Sequence, residues 1–82
     1  MNMPPLDQFK RLDVRPLFKR GEEPRAVILQ RVQKLAAGEG LVVLAPFLPS
    51  PLIELLQSEG FESKVEPSEK GTWAVYFWKR SG

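Results

Sequence analysis

Neither cysteine nor histidine occurs anywhere in the chain. Without cysteine there is no disulfide framework, thiolate nucleophile, iron–sulfur cluster or persulfide carrier, so stability must come from packing or association. The two absences together exclude zinc held by thiolate or imidazole, a haem with an axial histidine and a Ser-His-Asp triad. No cofactor and no metal are therefore expected. Long apolar runs are missing as well. The longest, Leu41-Val42-Val43-Leu44-Ala45, is strand-sized and far below the roughly 20 residues of a membrane span. Met1 to Pro5 has no basic region and no apolar region of the kind a targeting segment needs. These absences lead to the expectation of a cytoplasmic protein with no membrane contact.

What is present suits one small domain. The 82 residues are too few for two separate cores. The net charge is +2, from 12 basic and 10 acidic side chains, and the basic excess lies in the first half. Residues 1–8, with Pro4-Pro5, read as a flexible N-terminal arm ahead of a domain spanning 9–80. Leu12 and Val14 alternate with Asp13 in a first strand over 9–14. Arg15 to Glu23 reads as a loop, polar and interrupted by Pro16 and Gly21. From Pro24 to Ala37, Val27, Ile28, Val32, Leu35 and Ala36 fall at helical spacing. Pro24 suits the first helical position, and Gly38 and Gly40 end the helix.

Leu41 to Ala45 reads as a central strand, and a strand-helix-strand order makes a parallel crossover the default. Pro46, Pro49 and Pro51 exclude regular structure in the segment between. Ser50-Pro51 then starts a second helix, with the Ser50 hydroxyl as its cap, running to about Glu59 and stopped by Gly60. A strand from Phe61 to Glu66, a turn over 67–71 and a last strand from Thr72 to Lys79 complete the chain. The order β-α-β-α-β-β predicts a two-layer α/β sandwich, a four-stranded mixed sheet with two helices on one face.

Three features are candidates for function. The loop entering the first helix carries Arg15, Lys19, Arg20 and Gly21, which could hold a small anion beside a helix N-terminus. Glu22 and Glu23 compete for the same electropositive end. Those two glutamates with Asp13 form the second feature, but solvated carboxylates with no histidine relay are poor acid–base machinery, so no catalytic residue is assigned. The third is aromatic. One face of the last strand, Trp73, Val75 and Phe77 or its alternate, must pack on the helices. Outward Tyr76 and Trp78, flanked by Arg80, would make an interaction surface. A protein partner or a second copy is the first reading of that surface, simple local packing under the N-terminal arm is the second, and a single-stranded nucleic-acid platform is the weakest.

Several of these residues form a pattern: Leu12-Asp13-Val14-Arg15-Pro16-Leu17, Pro24 opening the first helix, Leu41-Val42-Val43, Pro49-Ser50-Pro51-Leu52, Glu59-Gly60-Phe61 and Gly71-Thr72-Trp73-Ala74-Val75. Over roughly residues 10–80 the chain resembles the uncharacterised bacterial branch, a domain of unknown function, of the TusA/SirA-like family. The resemblance implies the same two-layer fold. TusA proteins are sulfur carriers with a Cys-Pro-x-Pro motif at the start of the first helix. Here its last proline matches Pro24, while the cysteine position falls at about Gly21 and the next proline at Glu22. In the uncharacterised branch, histidines stand near the positions of Glu23 and Phe47, and both are missing here. The resemblance therefore implies a binding role without sulfur-carrier chemistry. A non-catalytic domain acting through protein–protein contact, as a homo-oligomer or with another protein, is the favoured expectation. A small-anion-binding domain is the alternative.

Overall fold

The alternating strand pattern and the proline-led helical stretches assemble into one sheet with helices on one side. The computed structural model describes residues 3–80, so Met1 and Asn2 of the expected arm lie outside the described residues. A 3₁₀ turn at Leu6–Gln8 leads into β1 (Phe9–Asp13). Then follow α1 (Arg15–Lys19), α2 (Arg25–Gln33), β2 (Gly40–Ala45), α3 (Ser50–Ser58), β3 (Phe61–Pro67) and β4 (Trp73–Lys79). The strand order is β1-β2-β4-β3. β1 runs parallel to β2, with Leu12 opposite Val43, and the other two pairings are antiparallel, with Val43 opposite Val75 and Val65 opposite Val75.

Register decides which side chains share a face, because successive residues of a strand point to opposite sides. Leu12, Leu41, Val43, Ala45, Val75 and Phe77 fall on one face and pack with Ile28 and Val32 of α2 and Leu52 and Leu56 of α3. Phe77, Leu56 and Val43 are fully buried there. Each such large side chain contributes about 1.5–3 kcal/mol by leaving water. Trp73, Val75 and Phe77 are thus the core-facing set of β4. The predicted two-layer sandwich is the architecture observed.

Local differences have physical causes. Residues 15–19 form a short helix rather than a loop, because Pro16 stands in its first turn, where a missing N–H costs no hydrogen bond. α2 ends at Gln33, four residues before Ala37. The Ala36 N–H is taken by the Glu39 carboxylate (2.9 Å), and Glu39 N–H returns to Ala36 O (3.0 Å), a turn that replaces helical bonding. Gly40 opens β2 instead of ending the helix. Ser50 does not cap α3 through its hydroxyl. Pro49 holds the cap position, and the Ile53 N–H donates to Pro49 O (3.0 Å).

Candidate functional site

The loop that follows β1 brings Arg15, Lys19, Arg20 and Gly21 to the carboxyl end of the sheet, but two of its cations are already engaged. The Arg15 guanidinium lies against Asp13 in a two-point pair, Nη2 to Oδ2 at 2.6 Å and Nε to Oδ1 at 2.9 Å. The Arg15 backbone N–H donates to the same Oδ1 (3.0 Å). Its Nη1 reaches across to Thr72 Oγ1 (3.2 Å) and Glu69 Oε1 (3.4 Å), joining the end of β1 to the turn before β4. Hydrogen bonding from Arg15 holds the Asp13 carboxyl down from 3.8 to about 2, and the Asp13 bond raises Arg15 in turn. Arg20 pairs with Glu22 at 3.0 Å, lowering the glutamate and raising the arginine.

These pairs bear on both chemical readings. An anion at this loop would have to displace carboxylates from Arg15 and Arg20. Gly21, with φ of +73°, supplies the left-handed turn after α1. Lys19 is exposed and borders a shallow groove with Asp13, Arg15 and Pro16. An Asp13 held charged by a guanidinium is also a poor general acid or base near neutral pH.

The face away from the helices is less open than the sequence pattern suggests. Tyr76 and Trp78 do lie on it, yet Trp78 is only 8% exposed and Tyr76 is half-buried. The cover is Phe9. Its ring occupies the space over Gly40, where a Cβ would overlap it. It stands edge-on to Tyr76 and Trp78, with centroids 5.3 and 6.3 Å away. Trp78 Nε1 is buried without a hydrogen-bond partner among the described residues. Arg80 is exposed and paired with Glu62 at 2.9 Å. Trp78 is therefore corrected from a surface anchor to a packed residue, because Gly40, directly opposite it on the neighbouring strand β2, leaves room for the Phe9 ring above it.

The most apolar concave feature lies elsewhere. A cavity of about 320 Å³ opens on the helix side at the carboxyl ends of β1 and β2, between the starts of α2 and α3. Val14, Ile28, Val43, Ala45 and Leu52 line its interior, and Phe18, Pro24, Phe47, Pro49 and Pro51 border it. Phe18 and Phe47 meet edge-on at 4.7 Å. Glu23 and Arg25 are the charged side chains at the cavity, and Glu23 Oε1 accepts the Arg25 backbone N–H at 3.4 Å. Phe47 remains 49% exposed and neighbouring Leu48 39%. From the residues alone, Pro24 and Pro51 read as helix starts and Pro49 as a break in regular structure. Paired proline-led helix starts beyond two parallel strands were the available signal, since ligands collect outside the carboxyl ends of such strands.

Fold and site together define a small two-layer α/β sandwich with an apolar pocket at the open end of a parallel strand pair. The chain belongs to the family described as uncharacterized conserved protein (DUF2249), which it matches over residues 11–79. Comparison with curated proteins and with solved structures gives no match.

Proposed function

We propose that this domain is a non-catalytic cytoplasmic binding module that takes a large apolar side chain of a protein partner into the pocket between α2 and α3. The observation that carries this reading is the 320 Å³ apolar cavity bordered by a Phe47 that is half in solvent. Pockets of this size and lining are typical binding sites. A rigid aromatic beside such a pocket is the usual form of an interaction anchor. The prolines on either side of Phe47 limit the loop's freedom, so less order has to be gained on binding. The two-layer fold and the placement of Pro24 ahead of α2 agree with the TusA/SirA-like resemblance. A chain without cysteine has no residue to carry a persulfide.

Peptide display against the full chain tests the proposal. Selected peptides should share one large apolar anchor and shift the amide signals of Val14, Ala45, Phe47 and Leu52. Phe47→Ala, at an exposed position, should weaken them roughly tenfold or more while leaving the circular dichroism unchanged. Peptides whose shifts gather around Tyr76, or that ignore Phe47→Ala, would overturn the assignment.

A further inference from the structure

The two edges of the sheet differ in what they can pair with. β1 and β3 are the edge strands. Arg80 N–H donates to Gly60 O (2.8 Å) and Ser68 N–H to Thr72 O (2.9 Å). In an antiparallel ladder this turns the backbone groups of even-numbered β3 residues toward β4 and those of Phe61, Ser63, Val65 and Pro67 outward. Pro67 has no N–H to offer. On the face away from the helices, β3 carries alternating charge, Glu62, Lys64 and Glu66. Val65, on the helix side, is 36% exposed.

We propose that β3 pairs with β3 of a second copy of this chain, antiparallel about a two-fold axis at Ser63, joining two sheets into one of eight strands. The register follows from elimination. Centring on Lys64 sets Lys64 against itself and, twice by symmetry, Glu62 against Glu66, three like-charge contacts. Centring on Val65 places Pro67 opposite Ser63, whose carbonyl then lacks a donor. Centring on Ser63 gives every outward N–H of Phe61, Ser63 and Val65 a carbonyl of the second copy. It sets Glu62 opposite Lys64 twice, by symmetry, and leaves Pro67 beyond the paired stretch. Within one copy Lys64 lies 3.1 Å from Glu66 and Glu62 lies 2.9 Å from Arg80, so pairing across the two-fold has these exposed side chains share or exchange those partners. The two-fold closes the assembly at a dimer. β1, with adjacent Lys10 and Arg11, has no such alternation. This inference does not depend on the pocket.

Sedimentation equilibrium of the full chain over a concentration series tests it. A reversible monomer–dimer equilibrium is expected, weakened roughly tenfold by Lys64→Glu or by Glu62→Lys. The double exchange Glu62→Lys with Lys64→Glu should restore it. Because the chain has no cysteine, Ser63→Cys gives a single thiol. Its Cα should lie about 5.5 Å from its symmetry mate, within disulfide reach, so oxidation should yield covalent dimer well ahead of Leu6→Cys, an exposed control. A monomer persisting at about 1 mM, charge reversals without effect, or a double exchange that fails to restore association would each overturn the proposal.

Discussion

Asp13 and Arg15 show how much two residues can settle. Asp13 ends β1, Arg15 begins α1, and the guanidinium uses its fork on Asp13 while still reaching Thr72 and Glu69. The folded protein holds Asp13 at about 2, below its unfolded 3.8. A carboxyl depressed on folding stabilises above its unfolded value, and that contribution fades as pH falls through the folded one. The pair should thus stabilise fully above about pH 4 and lose its effect between about pH 4 and 2. Asp13→Asn should melt several degrees lower than the parent at pH 7, with the two melting curves converging across that window. A constant gap down to pH 2 would show that the effect is not ionic. Trp78 gives the second test at this scale. Its indole N–H is buried with no partner among the described residues, so Trp78→Phe removes an unsatisfied donor and should cost less than about 1 kcal/mol in chemical denaturation. Trp78→Ala, which uncovers Phe9 and Tyr76, should cost about 3–5 kcal/mol.

Among the elements, α3 packs on the core through one apolar face. Leu52 and Leu56 are its buried residues, and Leu56 is fully enclosed. Leu56→Ala should lower unfolding stability by about 2–5 kcal/mol in urea titration. All four strands were legible in the sequence to within one residue at each end, since alternation of apolar and polar side chains is a local signal. Both longer helices were legible from their prolines, with α3 ending within a residue of expectation. α1 was hidden because Pro16 reads as a breaker unless its place in a first turn is known. The tail of α2 was hidden because Leu35 and Ala36 continue the apolar spacing, while Glu39 captures the backbone from three residues away. In the candidate site, the loop cations were found where expected, but their carboxylate partners at Asp13 and Glu22 decide their availability. The pocket was invisible, because it exists only where β1, β2, α2 and α3 meet.

For the molecule as a whole, the three surfaces fall in separate places. The pocket sits at the carboxyl ends of β1 and β2, the aromatic cluster lies on the face away from the helices, and the open β3 edge is at the far side of the sheet. On the aromatic face, Phe9 stands edge-on to Tyr76 and Trp78, and Trp78 is buried in the folded state. That leaves the Phe47-Leu48 segment and the β3 edge as the surfaces most suited to contact. A domain of this size buries a little over 60% of its chain surface on folding, so association at either surface would also support the fold.

The fit of the Phe9 ring over Gly40 has one more consequence. Phe9 is the first residue of β1 and stands opposite Gly40, the first residue of β2. Were β1 to slide one position, the ring would meet Leu41 instead and Arg11 would turn toward the core. The notch at Gly40 accepts a ring at one alignment only. It acts as a gauge for the parallel pair, a junction that no hairpin turn sets, and so it fixes where the carboxyl ends of β1 and β2 stop and the pocket begins.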